Sequence, residues 1–105
     1  MSPRHGEVWL ADMGIAGKTS PVVVLLADAV PVERTLIIYV PVTSQARGGP
    51  LEVALGHLLF LDRESVANTQ DIGALPRVRF EKFLGTLPAA DLAKVKVALK
   101  IACAL

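Results

Sequence analysis

Cysteine is almost absent from this chain of 105 residues, in which Cys103 stands alone. An intramolecular disulfide is therefore excluded, and Cys103, within an apolar stretch near the C-terminus, is expected to be a small core residue. No cluster of cysteines and histidines has the spacing of a zinc site. A phosphate-binding glycine loop and a Gly-x-Ser-x-Gly nucleophile turn are also missing. We accordingly expect no metal or nucleotide cofactor.

A large excess of charge is also lacking, because 11 Lys and Arg residues face 10 Asp and Glu residues, a formal net charge of +1. This balance excludes a protein that coats nucleic acid through overall charge, but it allows a cleft with a few local cations. No uncharged apolar run reaches the roughly 18–20 residues of a membrane span. The N-terminus does not resemble a secretory signal. The expected location is the cytoplasm, with no membrane contact.

Apolar residues, by contrast, are abundant at 52% of the chain. The length predicts one domain over residues 1–105. The apolar content exceeds what a lone small core needs, and surplus apolar surface indicates self-association. Trp9 is expected in the core rather than on a surface that stacks bases.

Two short apolar runs dominate the pattern, residues 22–26 and residues 36–40. Their length and β-branched composition favour buried strands. If the strands pair as antiparallel neighbours, the polar loop before the first and the polar stretch after the second lie at one edge of the sheet. Lys18 and Ser20 would then converge with Thr43, Ser44 and Gln45.

The remaining pattern predicts further strands over residues 7–12, 51–55 and 80–87. Residues 64–68 and 70–75 are expected to form two short strands or one bent strand. Residues 13–17 are expected to form a mobile loop, and residues 28–34 a break around Pro31. A helix is predicted after Pro88, where Ala and Lys are frequent. The fold class is therefore mainly β (α+β), a small barrel or half-barrel of antiparallel strands with a C-terminal helix.

The predicted helix carries apolar residues on two sides. Leu92, Val95, Leu99 and Ala102 share one face at helical spacing, and a second flank consists of Val97, Ile101 and Leu105. A helix buried on one side does not need the second flank. We therefore expect part of the helix to meet another subunit in a homodimer.

Several of these segments, in this order, resemble the MazF/PemK family of toxin endoribonucleases. The similar segments are Arg-His-Gly-Glu-Val-Trp at 4–9, Lys-Thr-Ser-Pro-Val-Val-Val at 18–24, Pro-Val-Thr-Ser-Gln at 41–45, Pro-Leu-Glu-Val at 50–53, Ser-Val at 65–66, residues 71–80 and the helix pattern at 92–99. The resemblance implies a small SH3-like barrel that works as a homodimer. It also implies metal-independent cleavage of single-stranded RNA, often mRNA, at short sequences, and inhibition by a cognate antitoxin.

One residue departs from the family pattern at a catalytic position. Relatives carry the chemistry on a strand-end threonine, which is Thr43 here, and on an arginine whose position is taken by Ser20. Arginine suits a phosphodiester because its planar fork donates two hydrogen bonds and stays charged. Serine offers one neutral donor, so impaired activity is expected. Three explanations stay open: an engineered substitution, natural loss or specialisation, or compensation by a nearby cation.

The resemblance and the residue chemistry together give a set of candidate RNA-contacting side chains. The set is Lys18, Thr19, Ser44, Gln45, Arg47, Asp71, Arg77 and Arg79. Lys18 is the nearest substitute for the arginine, with Arg47 as a second, and Gln45 and Asp71 suit the reading of base edges. The competing interpretation is a solvated surface cation for the basic residues and turn polarity for Gln45 and Asp71. Thr43 would in that case be an ordinary strand residue.

Two other interpretations remain open. His5 and His57 are a conceivable acid–base pair, although nothing in the sequence brings them together. A non-catalytic binding protein on the same scaffold is the alternative function, either a module that docks an antitoxin or one similar to the gyrase poisons of the CcdB type. The retained Thr43 motif favours RNA, whereas the missing arginine favours the non-catalytic alternative.

Overall fold

Seven β-strands and one α-helix make up the part of the chain that the computed structural model describes, which is residues 2–14, 18–31 and 35–105. The strands are β1 (Glu7–Asp12), β2 (Thr19–Val24), β3 (Ile37–Thr43), β4 (Glu52–Ala54), β5 (Val66–Asn68), β6 (Gly73–Leu75) and β7 (Phe80–Thr86), and the helix is α1 (Ala89–Cys103). This content confirms the mainly β fold class with a C-terminal helix.

The strands form one antiparallel sheet in the order β4-β5-β3-β2-β1-β7, with β6 also paired to β3. Strand β3 is the hub, because its first half pairs with β6 and its last two residues pair with β5. Its other edge pairs with β2, where Val22 faces Pro41 and Val24 faces Tyr39. Among the described strands, β4 and β7 each pair on one side, so the sheet is barrel-like without closing.

The continuous apolar runs follow from burial on both faces of this sheet. Along β2, Val23 packs into the core cluster that also contains Val95 and Ala98 of α1. Its neighbours Val22 and Val24 point to the opposite face and pack with Trp9 and other residues of a second cluster. Consecutive residues of one strand therefore serve two cores, and alternation of apolar and polar residues is not needed. Trp9 is buried in the second core, as predicted.

Helix α1 lies against β4 and the 3₁₀ turn Thr69–Asp71. Its inward face is formed by Asp91, Val95 and Ala98, which are buried. The helix ends with Ala104 in the left-handed conformation, at φ 56°. The second apolar flank is exposed, with 59% of Val97 and 61% of Ile101 accessible.

Two expectations about this helix are wrong. Cys103 is exposed, not a core residue, and Ala102 is exposed although it continues the inward face. The reason is common to both, since residues 101–105, the last turn of the helix and the residues after it, are all exposed. Within the described residues, no helix is long and apolar enough to cross a membrane.

The element boundaries differ from expectation mainly around the site. Strand β2 begins at Thr19 and ends at Val24, so it includes the polar residues that were predicted to precede it. Strand β3 runs to Thr43, which is thus part of the ladder. Residues 15–17 of the expected mobile loop, and residues 32–34 of the expected break, lie outside the described residues.

Candidate functional site

A polar pocket of about 220 Å³ opens where β2 begins and β3 ends. We call it the strand-end pocket, and it is lined by Lys18, Ser20, Pro21, Val42, Thr43, Ser44, Gln45, Asp62 and Ser65. Its position follows from the antiparallel pairing, since Val22 faces Pro41 and the same register brings Ser20 beside Thr43 two residues further on. The predicted convergence of these polar strand ends is therefore a feature of the structure.

The functional groups of this pocket are held to different degrees. Ser20 and Thr43 are half-buried on paired strands, and the Thr43 Oγ1 accepts a hydrogen bond from the Gln45 backbone N–H at 3.1 Å. That bond uses the oxygen as an acceptor and leaves the hydroxyl proton available for a ligand. Lys18 is exposed, and its ammonium makes no ion pair with any described residue.

Two residues of the pocket, Asp62 and Ser65, were not predicted from the sequence. They come from the loop between β4 and β5, which is closed by backbone hydrogen bonds from Leu55 N to Ser65 O at 2.9 Å and from Ser65 N to Asp62 O at 3.0 Å. Ser65 is 5% exposed, whereas Asp62 is exposed. The similarity of Ser65-Val66 to the family pattern was the one available signal, and it gave no indication that the loop returns to the ends of β2 and β3.

A second polar pocket of about 680 Å³ adjoins the first. We call it the turn pocket, and it is lined by Pro41, Thr43, Gln45, Arg47, Gly48, Gly49, Pro50, Leu51, Glu52, Asn68, Gln70 and Asp71. Because Thr43 and Gln45 line both pockets, the two form one continuous polar surface.

The walls of the turn pocket are built by side chains that bond to backbone. The Glu52 carboxylate accepts from the backbone N–H groups of Arg47 and Gly48, at 3.0 and 2.8 Å. Thr69 lies next to the lining residues Asn68 and Gln70 in the chain; it is fully buried, and its hydroxyl donates to the Leu51 carbonyl at 2.7 Å. These bonds hold the turn after β3 and the turn after β5 in place while their other polar side chains stay exposed.

Asp71 stands at the rim of the turn pocket, close to a buried phenol. Burial raises the pKa of Tyr39, and the nearby Asp71 carboxylate raises it further. Tyr39 is 8% exposed and belongs to the second core cluster. The phenol is therefore neutral at ordinary pH, and the carboxylate is the charged group that this wall presents to a ligand.

Three predicted residues do not line either pocket. Thr19 is an exposed β2 residue paired with Asp12. Arg79 Nη1 lies 3.4 Å from Asp12 Oδ2, and Arg77 Nε donates to Ser2 Oγ at 3.1 Å. These arginines lie in and around the 3₁₀ turn Arg77–Arg79, and their described contacts are with the N-terminal part of the chain.

The two pockets together present more negative than positive charge. The cationic lining residues are Lys18 and Arg47, and the anionic ones are Glu52, Asp62 and Asp71. A phosphodiester placed here would meet little net attraction from this chain alone.

Neither histidine lines the strand-end pocket or the turn pocket. His5 Nδ1 lies 3.0 Å from the Leu25 carbonyl, and His57 Nε2 lies 3.0 Å from Oδ1 of the buried Asp91. Among the described residues, no three His, Cys, Asp or Glu side chains are grouped to hold a metal ion.

An apolar groove of about 450 Å³ continues the surface beyond the turn pocket. We call it the helix groove, and it is lined by Pro50, Glu52, Val53, Ala54, Ala93, Lys94, Val97, Ala98 and Ile101. It shares Pro50 and Glu52 with the turn pocket, so the three concave surfaces follow one another along the molecule.

Comparisons with known proteins agree with this architecture. A crystal structure of MazF from Deinococcus radiodurans is 31% identical in sequence, covers 100% of this chain and 99% of its own, and superposes with a TM-score of 0.84. A MazE–MazF complex from the same organism is 26% identical, with coverages of 100% and 98% and a TM-score of 0.85. An endoribonuclease in complex with its cognate antitoxin from a mycobacterial species is 25% identical, with coverages of 99% and 97% and a TM-score of 0.87. The family model of the PemK-like, MazF-like toxins matches residues 4–103. The chain therefore belongs to the PemK-like, MazF-like toxins of type II toxin–antitoxin systems.

Proposed function

We propose that this toxin acts on single-stranded RNA, as a metal-independent endoribonuclease that cuts at a short sequence, and that Ser20 leaves it impaired. The observation that carries the proposal is the meeting of Ser20 and Thr43 in the strand-end pocket. In the family pattern these are the two catalytic positions. The relative described as an endoribonuclease has the same fold over nearly its whole length, which supports the same class of activity.

The reaction needs positive charge and hydrogen-bond donors around the phosphate, and the strand-end pocket has few of either. In metal-independent cleavage the ribose 2′-hydroxyl attacks the adjacent phosphorus, and negative charge concentrates on the phosphate oxygens. Loss of one well-placed donor from such a site lowers the rate about 10²- to 10³-fold. Ser20 supplies a neutral hydroxyl, and Lys18 is the cation that the described part of the chain contributes to the pocket lining. The flexible lysine orients a phosphate less well than an arginine, so residual activity is low.

In this proposal the turn pocket recognises the bases of the RNA. Gln45 and Asp71 present hydrogen-bonding groups suited to the Watson–Crick edges of unstacked bases. Arg47 of the turn pocket and Ser44 of the strand-end pocket contact the sugar-phosphate backbone of the RNA in this proposal. Arg77, Arg79 and Thr19 lie outside the pocket linings, so in this proposal they bind flanking phosphates of a longer strand.

The partners in this proposal are a cognate antitoxin and a second copy of the chain, all in the cytoplasm. Related toxins are described in complexes with their antitoxins, MazE in one case, which supports the first partner. The antitoxin would silence the toxin by covering the strand-end and turn pockets. The exposed flank of α1, with Val97 and Ile101, supports the second partner.

A non-catalytic binding protein is the second candidate, and the charge of the pockets favours it. Two cations against three carboxylates is a poor balance for a surface that must hold a phosphate chain. In this alternative the same surface docks an antitoxin segment, or a protein target as in the CcdB-type poisons, and cuts nothing.

The variant Ser20→Arg separates the two candidates. We expect it to cleave single-stranded RNA about 10²-fold or more faster than the parent chain, at the same sequences. The matched control is Thr86→Arg, which adds the same charge to an exposed threonine of β7 outside both pocket linings, and should leave the rate near that of the parent. If neither the parent nor Ser20→Arg cuts RNA while both still bind an antitoxin segment, the second candidate replaces the first.

A further inference from the structure

A proton acceptor is required by the proposed reaction, and the strand-end pocket contains one carboxylate. When the 2′-hydroxyl attacks phosphorus it must lose its proton, and a positioned base accelerates this step. Among the described residues, the lining of the pocket contains no histidine, and its ionisable side chains are Lys18 and Asp62. His5 and His57 do not line it and are paired elsewhere. By chemistry, Asp62 is therefore the side chain of this lining that can take the proton.

Ser65 provides an independent sign that this side of the pocket is made for a ligand. The residue is 5% exposed, yet its hydroxyl makes no hydrogen bond to any described residue. No fully buried side-chain oxygen or nitrogen of the described residues lacks a partner, so the Ser65 oxygen must have some accessible surface. Ser65 lines the strand-end pocket, which is where that surface opens. A nearly buried hydroxyl normally has a partner, and here a bound group would supply it.

The loop that carries both residues is tightly built. Leu55 and Ser65 are joined across its ends by a backbone hydrogen bond of 2.9 Å, and Ser65 N donates to Asp62 O at 3.0 Å. Gly56 packs so closely on the Arg63 carbonyl that a side chain there would collide with it. The backbone at Asp62 and Ser65 is thus held in place within the lining that also contains Ser20 and Thr43, although the Asp62 residue is exposed.

From this geometry we propose that Asp62 is the general base of RNA cleavage and that Ser65 donates a hydrogen bond to the phosphate in the transition state. The inference rests on the endoribonuclease activity proposed above. Asp62 takes the proton of the 2′-hydroxyl, the 2′-oxygen forms a bond to phosphorus, and the bond from phosphorus to the 5′-oxygen breaks. The 5′-oxygen takes a proton from the Lys18 ammonium; Asp62 then releases its proton to water and Lys18 takes one up from water, so that no net proton is gained or lost. The products are a 2′,3′-cyclic phosphate end and a 5′-hydroxyl end.

Asp62→Asn tests the base, and it is best measured in the Ser20→Arg chain, where cleavage is fast enough to resolve small fractions. We expect single-turnover cleavage of a single-stranded RNA to fall about 10²-fold. Binding of the same RNA to the Asp62→Asn form of the unmodified chain, followed by fluorescence anisotropy, should be at least as tight as before, because a negative charge has been removed beside the phosphate. Asp62→Glu should restore part of the rate. Glu64→Gln is the matched control, since Glu64 is an exposed carboxylate of the same loop that does not line the pocket, and it should change neither measurement.

Ser65→Ala tests the donor, with an expected tenfold or greater fall in cleavage, about the effect of one weaker donor. Its folding can be checked by thermal unfolding, which should show no loss because the hydroxyl has no protein partner to lose. If Asp62→Asn cuts RNA as fast as its Ser20→Arg parent, the assignment of the base is wrong and the proposed activity stands. If Ser20→Arg cuts no RNA at all, the proposed activity fails and this inference fails with it.

Discussion

The strand-end pocket and the helix groove lie on the same molecule but differ in the polarity of the side chains that line them. The pocket is lined mainly by polar side chains at the ends of paired strands. The groove is lined largely by apolar side chains, with Val97 and Ile101 more than half exposed. The polar pocket is therefore preorganised before any partner arrives, whereas the groove gains from being covered.

The energetic reason is the different effect of water on the two surfaces. Polar groups in an open pocket are solvated and remain ready to exchange water for a ligand. Exposed apolar side chains have an unfavourable interaction with water, and covering Val97 or Ile101 completely would contribute roughly 1–2 kcal/mol each. The comparison predicts that changes in the pocket alter chemistry with little effect on assembly, and that changes in the groove do the opposite.

The largest effect is expected for Thr43→Val in the strand-end pocket of the Ser20→Arg chain. The substitution keeps the shape and removes the hydroxyl, so cleavage should fall about 10²-fold while the sedimentation coefficient stays the same. Thr86→Val is the control, because Thr86 is an exposed threonine of β7 that lines no pocket described above. A variant at Thr43 that cuts as fast as its parent would show that the pocket is not the reaction site.

The next effect concerns the loop that closes the pocket. Gly56→Ala places a methyl group against the Arg63 carbonyl, so the loop must shift, and we expect a loss of about 1–3 kcal/mol in the free energy of unfolding. Cleavage should fall as well, because Asp62 moves with the loop. Gly49→Ala is the control, since no atom lies within 4 Å of the added methyl and the glycine has no positive φ. Equal stability of the two variants in urea would contradict the close packing at Gly56.

The groove is tested by Ile101→Lys. If a second copy covers this flank, the charge must be buried or the dimer must separate, and the dissociation constant measured by sedimentation should rise at least about tenfold. Ala102→Lys adds the same charge to the next residue, which does not line the groove, and should have a smaller effect. A parent chain that is monomeric at micromolar concentration would remove the basis of this prediction.

The smallest effect is a pH dependence at the wall of the turn pocket. Burial and then the Asp71 carboxylate raise the pKa of Tyr39 above its ordinary value of 10.0. The folded state therefore holds the phenolic proton more tightly than the unfolded state, so this contribution to stability is complete below pH 10 and is lost as the pH rises through the folded-state pKa. Tyr39→Phe should flatten the alkaline fall in urea stability, and Asp71→Asn should reduce it in part. An unchanged alkaline slope in Tyr39→Phe would assign the fall to other groups.

The sequence pattern alone was sufficient to predict the strands that are buried on both faces, because each of them is a continuous apolar run. The valines of β2, and the run that becomes β3, were recognisable as buried strands. The convergence of Ser20 and Thr43 was predicted on the condition that these strands pair as antiparallel neighbours, which they do. The helix after Pro88 was equally clear from its composition. The predicted burial of Cys103 and Ala102 was wrong. Helical spacing shows which residues share a face, but it does not show how far along the helix that face is covered by the sheet.

The two newly found pocket residues illustrate a different limit. Asp62 and Ser65 lie about 20 residues after Thr43 in the chain. Nothing local distinguishes Asp62 from the neighbouring charges Arg63 and Glu64. Their arrival at the strand-end pocket depends on β5 pairing with the last residues of β3, which returns the loop to the same edge.

By itself the amino-acid sequence determined the strand and helix content and the family, because these depend on residue types and their order; that Ser20 stands at the position of a family arginine stays a prediction. The tertiary structure alone decided which charges surround that serine and which apolar side chains stay uncovered. Both depend on distances between segments that are far apart in the chain, and those distances are set by strand pairing and by the position at which α1 leaves the sheet.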